Sequence, residues 1–485
     1  MTQTIHCFSL ILSISLSFSH NIAQSSGFSA VSLPKNRVNL DADEFHDPLS
    51  SVPSIDDDSS NDNVAIILNT NARGVSEDLL PIAVSIFGKE HVYLTTTEEE
   101  GRKAAFDLML QNTSMVIPVG GDGTLSSMIN FLVESVQEQF PFLTREEAMK
   151  ELPVVGYVPL GTGNGVGSVV GSEMMAKPQN WKIFGQKKRR LRQVKHMLQS
   201  FYKIGQKMRK CEDYLESDEA PDVIEIPMME VSYPESDEEE NTLCFFAGAG
   251  FDSLMLQDFQ SIKKWAIRTK MFTKTLSSVS GYCVALVLKT LPKCVARNEH
   301  NIRVKVTTRD PDTLWVDHRR GDVVQKVGPK KKKRDNDIVE DIECDEEGAL
   351  LYEGVTGIIA AGTSPFYGGG LRLFPFARVT TDKMHLRLGR IHPLRGFFNI
   401  PRIFRGSFRD KRLSSFGCMD FIGGDFDVHV TSSRRDTDTK ELVKGFPVQH
   451  SGESVGYFEK FRLRVINEPV RFVTLMEKRM TKEEL

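Results

Sequence analysis

The sequence predicts an α/β domain followed by a mainly antiparallel β-sandwich domain. Two glycine-rich turns, Val119–Thr124 and Pro159–Asn164, each follow a short apolar run that predicts a buried strand, and each precedes a stretch that can begin a helix. Beyond Asp222 the pattern changes to short strand-like segments separated by turns. Alternating strands and helices indicate a doubly wound parallel sheet, whereas closely spaced strands indicate a sandwich or an open barrel.

The composition is that of an ordinary globular protein. The chain has 485 residues, 40% of them hydrophobic, and is long enough for two or three domains. A net charge of -4 gives no overall attraction to nucleic acid, so we expect no nucleic-acid partner. Seven cysteines without a CxxC pair argue against a disulfide scaffold and against a zinc site.

Residues 1–62 are predicted to be a targeting leader and a disordered linker. Phe8–Phe18 is an apolar run that is too short to span a bilayer and resembles the core of a signal peptide. Gln24–Leu40 is rich in Ser and has no acidic residue, and residues 41–62 are acidic and polar. This succession of segments indicates a leader that targets the protein to a plastid or to the secretory pathway. A leader without a targeting role is the alternative, and the protein would then be cytoplasmic or at a membrane surface.

Residues 63–220 are predicted to form a first, α/β domain, and 221–475 a second, β-rich domain. Whether the last strands return to the first domain stays open. The elements expected in the first domain are strand Val64–Leu68, helix 76–87, strand 91–94, helix 98–111, and strands Met115–Pro118 and Val154–Val158. The strands expected in the second domain are Val223–Val231, Leu243–Ala247, Ile302–Thr307, Gly354–Ala361, Val428–Thr431 and Phe461–Val465.

Two charged insertions interrupt these domains. Residues 182–210 contain 11 Lys or Arg and no acid, with apolar residues at helical spacing. Such a helix could lie on an anionic membrane, bind a calmodulin-like partner, or pack its apolar stripe on the core; packing on the core is the preferred interpretation. The second insertion, 318–348, contains the basic run 330–334, which we interpret as a solvated loop.

The two glycine turns are suited to binding phosphate. Glycine lets backbone N–H groups approach a ligand, and N–H groups at a helix N-terminus favour anions. In a parallel sheet both turns would lie at the carboxyl edge, where α/β folds bind ligands. Asp122 could deprotonate an acceptor hydroxyl or order a magnesium ion, and Thr124 could contact phosphate. An Asx turn that only joins a strand to a helix is the alternative.

Five motifs follow one another in a specific order: Gly120–Thr124, Asn130, Pro159–Asn164, Phe246–Asp252 and Tyr367–Pro375. Their order and spacing resemble the lipid kinases of the diacylglycerol kinase and sphingosine kinase superfamily. The resemblance covers residues 64–475 apart from the two insertions.

The resemblance implies that ATP and Mg²⁺ bind between the domains and that a lipid enters the second domain. It implies Asp122 as the general base and Asp252 as the residue that binds the acceptor hydroxyl, and it identifies no metal ligand. Lys263, Lys264 and Arg268 lie where basic residues that contact phosphate are expected. The implied nucleotide-binding residues are Asn69, Thr96, Thr97, Gly120, Gly121, Gly123, Thr124, Gly161, Thr162, Gly163, Asn164 and Glu453.

Three positions depart from the family pattern. Ser127 stands where a Glu is usual, and Ser451 replaces the Asp of an Asp-Gly-Glu motif that ends at Glu453. Lys383 follows Asp382 where Asp-Gly is common. The first two changes remove acidic groups that the family pattern would offer to a metal, and all three leave Asp122 and Asp252 intact.

The predicted activity is in-line transfer of the γ-phosphoryl group of ATP to a lipid hydroxyl at a membrane surface. The second turn, up to Gly165, is similar to long-chain-base kinases, whereas the motif ending at Asp252 is closer to diacylglycerol kinases. Diacylglycerol or a related acylglycerol is therefore the preferred acceptor, and a sphingoid base is the alternative. A catalytically silent lipid- or nucleotide-binding protein is a further hypothesis. A NAD kinase would show an Asn-Glu pair after the first turn, and the sequence lacks one.

Overall fold

The computed structural model of the chain describes residues 64–72, 74–161, 163–172, 186–210, 222–234, 241–270, 276, 279–297, 299–317, 323–326, 348–367, 371–378, 380, 382–390, 392–404, 418–431, 433–435 and 442–475. The predicted leader and linker, the basic run 330–334 and Thr162 lie outside these residues.

Strands and helices alternate in the first half of the chain. Its elements are β1 (Val64–Asn69), α1 (Leu79–Phe87), β2 (Val92–Thr95), α2 (Glu98–Leu110), β3 (Met115–Gly120), α3 (Asp122–Gln139), α4 (Arg145–Lys150), β4 (Val154–Val155), β5 (Val158–Pro159), α5 (Gly165–Val169) and α6 (Gln186–Lys210).

Strands dominate the second half. Its elements are β6 (Val223–Ile226), β7 (Met229–Ser232), β8 (Thr242–Cys244), β9 (Phe246–Gly250), α7 (Phe251–Thr269), α8 (Val279–Ala285), a π-helical turn (Leu286–Thr290), α9 (Leu291–Arg297), β10 (Ile302–Thr308), β11 (Leu314–Asp317), β12 (Val323–Lys326), β13 (Ala349–Thr356), β14 (Ile358–Gly362), β15 (Met384–Gly389), α10 (Pro393–Phe404), β16 (Cys418–Gly423), β17 (Asp425–Val430), β18 (Ser433–Arg435), β19 (Leu442–Lys444), β20 (Phe446–His450), β21 (Glu453–Phe458), β22 (Lys460–Val465) and β23 (Val470–Val473).

The first sheet is mixed. Its strand order is β2-β1-β3-β4-β23-β6, with β5 beside β3. All of these pairs are parallel except β23 with β6, which is antiparallel. The chain therefore returns to this sheet at β23. The expected single strand Val154–Val158 is divided into β4 and β5 at Gly156 and Tyr157, where the ring of Phe201 packs closely on Gly156.

Helices cover both faces of this sheet. Ala65 and Ile67 of β1 pack in a cluster with α2 and α3, whereas alternate residues of the same strand pack with α1 and α6. The buried stripe of α6 consists of Val194, Met197, Leu198 and Phe201. For Gln186–Lys210 the structure thus confirms the core-packing interpretation, because the apolar stripe of this helix lies against the sheet.

Two antiparallel sheets form the β-rich part. Their strand orders are β13-β10-β17-β22-β7-β8 and β12-β11-β16-β15-β14-β9-β20-β21, and residues of both sheets share one buried cluster. Three segments expected as single strands each divide between two sheets: Val223–Val231 into β6 and β7, Leu243–Ala247 into β8 and β9, and Gly354–Ala361 into β13 and β14. The chain turns a corner at each break, which a continuous apolar run does not reveal.

Candidate functional site

The two glycine turns touch each other at the carboxyl ends of β3 and β5. The N–H groups of Leu160 and Gly161 donate to the carbonyl oxygen of Gly120, at 2.7 and 2.9 Å. A Cβ atom on Gly161 would overlap the backbone of Gly121. Glycine is therefore required at this contact by lack of space, and the two turns form one structure.

The first turn presents a helix N-terminus beside the end of β1. Gly121 precedes α3, and no side chain caps this helix start. The first N–H groups of such a helix are suited to an anion. Asn69, the last residue of β1, donates its Nδ2 hydrogen to Thr124 Oγ1 at 2.8 Å. The structure thus brings together Asn69 and Thr124, two predicted nucleotide-binding residues 55 positions apart.

Asp122 links the first turn to the second. Its Oδ2 atom accepts the N–H of Gly165 at 2.7 Å, and its Oδ1 atom accepts the N–H of Val166 at 3.3 Å. Asn164 adopts a left-handed conformation with φ of 53° and donates to the carbonyl oxygen of Gly161 at 3.0 Å. The carboxylate of Asp122 therefore caps α5, and its function as general base stays a prediction.

A polar edge follows β1 and β2. Thr70 Oγ1 lies 3.0 Å from Thr96 Oγ1, and Asn71 donates to the carbonyl oxygen of Thr96 at 2.6 Å. Thr97 accepts the N–H of Glu100 at 3.2 Å and so forms the N-cap of α2. Thr96 thus lies at this polar edge, whereas the Thr97 hydroxyl is engaged in capping α2. The sequence did not single out Thr70 or Asn71.

The turn between β20 and β21 packs on the start of α3. Ser451 Oγ lies 2.7 Å from Ser126 Oγ. A Cβ atom on Gly123 would lie 2.8 Å from Glu453 Oε1, so the Glu453 carboxylate reaches the first glycine turn. The Glu453 residue is exposed, but partial burial of its carboxyl and the charge of Glu98 raise the pKa of that carboxyl.

A buried polar network surrounds Asp252 at the start of α7. Tyr367 donates its hydroxyl hydrogen to Asp252 Oδ2 at 2.7 Å. Gln449 Nε2 lies 2.5 Å from the Tyr367 oxygen and 3.3 Å from Asp252 Oδ2. Burial raises the pKa of the Asp252 carboxyl, and these hydrogen bonds offset that effect only in part. Nothing in the sequence singled out Gln449.

Comparison with known proteins identifies the first part of the chain. Residues 63–197 match the model of the diacylglycerol kinase catalytic domain. The chain carries a diacylglycerol kinase catalytic domain. This domain places the protein among the lipid kinases, which are phosphotransferases. No curated protein matches the chain.

The chain is also similar to solved structures from Bacillus anthracis strain Sterne. A diacylglycerol kinase from that organism is 12% identical, with 85% of this chain and 96% of that chain covered and a TM-score of 0.44. A second structure, described as a candidate diacylglycerol kinase, is 13% identical over 85% and 96% of the two chains, with a TM-score of 0.46.

One side chain ties the kinase domain to the β-rich part. Asn130 of α3 donates to the carbonyl oxygen of Leu243 and accepts the N–H of Leu243, both at 2.8 Å. It also donates to the carbonyl oxygen of Ser126. Asn130 thereby fixes α3, which begins at the first glycine turn, against β8.

The predicted basic cluster lies away from the Asp252 network. Lys263, Lys264 and Arg268 are exposed on the C-terminal half of α7. Because a helix rises about 1.5 Å per residue, they lie about 16 Å or more along the axis from Asp252. No helix among the described residues is long and apolar enough to cross a membrane.

Proposed function

We propose that this lipid kinase transfers the γ-phosphoryl group of ATP to the hydroxyl of diacylglycerol or a related acylglycerol. One segment, Gln449–Glu453, carries the proposal. Gln449 contacts Asp252, the predicted acceptor residue, and Glu453 contacts Gly123 of the phosphate-binding turn. Five consecutive residues span at most about 14 Å, so donor and acceptor groups lie within reach of one another.

The nucleotide would lie along the edge built from the first three strands. The N-terminus of α3 and the paired glycine turns would hold its phosphates. The base and sugar would contact the polar edge formed by Asn69, Thr70, Asn71 and Thr96. This edge offers hydroxyl and amide groups, and Asn69 joins it to the first glycine turn through Thr124. In-line transfer needs this kind of positioning more than it needs covalent chemistry.

A magnesium ion fits one place in this arrangement. Enzymes that use nucleotides often hold Mg²⁺ through one or two carboxylates together with the phosphates. Glu453 is such a carboxylate, and the raised pKa of its carboxyl indicates a charge that its surroundings do not offset. No group of three metal-binding side chains exists among the described residues. When bound, the ion would neutralise phosphate charge.

An anionic bilayer is the proposed partner of the exposed end of α7. Trp265 is 50% exposed and Ile267 is 53% exposed, beside Lys263, Lys264 and Arg268. Apolar side chains enter the headgroup region of a membrane, and basic side chains meet the lipid phosphates. This mixture suits an enzyme whose acceptor is a membrane lipid.

A transfer assay with labelled ATP and a panel of lipids tests the proposal. Diacylglycerol, monoacylglycerol, sphingosine and ceramide would be supplied in mixed micelles, and the products separated by chromatography. We expect label in phosphatidic acid or lysophosphatidic acid. Label in sphingosine phosphate would instead support the sphingoid-base alternative. Binding of ATP and lipid without transfer to any acceptor would contradict the proposal and favour a silent binding protein.

A further inference from the structure

Asp252 has one carboxylate oxygen engaged and one without a hydrogen-bond partner in the described part of the chain. Oδ2 accepts hydrogen bonds from Tyr367 and Gln449. Oδ1 is buried and has no hydrogen-bond partner among the described residues. A buried polar atom without a partner costs about 1–3 kcal/mol, so proteins rarely retain one without a function. An incoming hydroxyl group would satisfy this oxygen.

Space beside Asp252 is kept by a glycine. A Cβ atom on Gly248 of β9 would lie 2.7 Å from Asp252 Oδ2. Gly248 pairs with Gln449 across the sheet, so the residue that leaves space and the residue that donates are neighbours. The pairing of β9 with β20 thus places Gln449 where it can donate to the Asp252 carboxylate.

The hydrogen bonds of the network have a definite direction. Burial and the charge of Asp252 raise the pKa of the Tyr367 hydroxyl well above its ordinary value. Tyr367 therefore keeps its proton and donates a hydrogen bond to Asp252. Gln449 Oε1 accepts the N–H of Gly452 at 3.2 Å, which turns its Nε2 group toward Tyr367 and Asp252. Both neighbours are donors to the carboxylate.

Asp122 has the opposite environment. Both of its carboxylate oxygens accept backbone N–H groups of the second turn, from Gly165 and Val166. These bonds hold the two glycine turns together and engage both carboxylate oxygens. Asp252, in contrast, keeps one oxygen available and is the predicted contact of the acceptor hydroxyl.

We propose that Asp252 takes the proton of the lipid hydroxyl at Oδ1, and that Tyr367 and Gln449 position its carboxylate. This inference rests on the proposed lipid kinase function. The hydroxyl oxygen forms a bond to the γ-phosphorus, and the bond from that phosphorus to the bridging oxygen of ADP breaks. ADP leaves, and the hydroxyl proton ends on Asp252. Asp122 is then a positioning residue of the phosphate-binding turns.

The pH dependence of the transfer rate would report the ionisation of Asp252, and other titratable groups lie near it. Elements packed against α7 carry Tyr282, Tyr457 and His450, besides Tyr367. Tyr282 has a pKa raised to about 12 by burial, and burial lowers the pKa of His450 to about 4. His450 follows Gln449 in β20, so its side chain points to the other face of the sheet.

Asp258, Lys293 and Glu453 are further charged groups on α7 or on elements near it. Asp258 of α7 is paired with Lys293 of α9 at 2.7 Å, and Glu453 begins β21. Loss of the Tyr367 hydrogen bond removes a donor that lowers the pKa of Asp252, so this pKa rises further. As the pH is lowered, the rate of a variant without this hydrogen bond should therefore begin to fall at a higher pH than the rate of the wild type.

The first test is Asp252→Asn in the full chain, with the lipid that the wild type phosphorylates. We expect transfer to fall by about 10²–10⁴-fold, the usual contribution of a general base, with unchanged ATP affinity and thermal unfolding. If the wild type phosphorylates no lipid, the proposed function fails. If the wild type is active and the variant keeps its rate, only this inference fails.

The second test is the pH profile of kcat/KM for Tyr367→Phe. We expect the acidic limb of the profile to move to higher pH, and a smaller move in the same direction for Gln449→Leu. Tyr352→Phe is the matched control, because among the described residues the Tyr352 hydroxyl donates to the carbonyl oxygen of Val355, within β13. An acidic limb that stays at the wild-type pH in Tyr367→Phe would overturn the positioning role, whatever the change in rate.

Discussion

Asp122 and Asp252 occupy similar places and have different surroundings. Each lies at the start of a long helix that follows a strand ending in glycine, and they are 6% and 7% exposed. Backbone N–H groups of the second turn hold both oxygens of Asp122. The side chains of Tyr367 and Gln449 hold one oxygen of Asp252, and its other oxygen has no hydrogen-bond partner among the described residues. The same local pattern thus yields one carboxylate that joins two turns and one that is available for chemistry. The donors around a carboxylate, more than its motif, decide between these functions.

The largest effect is expected at the contact between the glycine turns. Gly161→Ala places a Cβ atom on the backbone of Gly121, and we expect a loss of about 3 kcal/mol of unfolding free energy because neither backbone can yield. The ATP concentration at half-maximal rate should rise at least about tenfold, as misplaced turns lose phosphate contacts. Urea unfolding and ATP titrations measure the two effects.

Gly424→Ala is the control for this change. A Cβ atom there would come no closer than 3.5 Å to another atom, so we expect stability to change by no more than about 0.5 kcal/mol. Equal stability of Gly161→Ala and Gly424→Ala would contradict the tight contact between the turns.

Two substitutions at Asp122 sharpen the comparison with Asp252. Asp122→Asn keeps a carbonyl oxygen that can accept the N–H of Gly165, whereas Asp122→Ala leaves the N–H groups of Gly165 and Val166 without an acceptor. We expect the Ala variant to lose about 1–3 kcal/mol of stability and most activity, and the Asn variant to lose less of both. Thermal unfolding and initial rates measure this difference. A general base at Asp122 would instead make both variants equally inactive.

A smaller effect is expected where the kinase domain meets the β-rich part. Asn130→Ala leaves the N–H and carbonyl groups of Leu243 without their partner, at a cost of about 2 kcal/mol. Asn399→Ala, which among the described residues removes one hydrogen bond to the Arg395 carbonyl oxygen within α10, should change stability by no more than about 0.5 kcal/mol. Chemical unfolding compares them. A similar loss in both would show that Asn130 does not join the two parts.

The smallest effect on the reaction itself is expected at the proposed membrane surface. Lys263→Ala with Lys264→Ala should weaken binding to phosphatidylserine vesicles by about 2 kcal/mol, or about 30-fold, without changing the rate on a soluble short-chain lipid. Vesicle sedimentation measures the binding. Lys89→Ala with Lys103→Ala is the control on the kinase domain. An equal loss in both double variants would assign the binding to overall charge.

The sequence predicted that the two glycine turns meet, and it did not predict the hydrogen bonds around the two aspartates. The paired glycine turns were expected because strand ends meet at one edge of a parallel sheet, and Asp252 was expected from its motif. Gln449 was not, since only the pairing of β20 with β9 places an ordinary glutamine opposite Gly248. In the same way, nothing local to Asp122 indicates that its partners lie 43 residues away at Gly165.

Strand ends were harder to predict than strands. β1 and β10 were expected almost to the residue, because each is a single apolar run bounded by turns. The corner at Phe245, between β8 and β9, was not expected, because buried strands on both sides of a corner give one continuous apolar run. Which sheet a strand joins depends on contacts far along the chain.

The most direct test compares Asp252→Asn with Asp122→Asn under saturating ATP and lipid, with folding checked by thermal unfolding. We predict that the Asp252 variant transfers phosphate about 10²–10⁴ times more slowly than wild type, while the Asp122 variant stays within about tenfold. An inactive Asp122 variant beside an active Asp252 variant would contradict the account and return the function of general base to the first glycine turn.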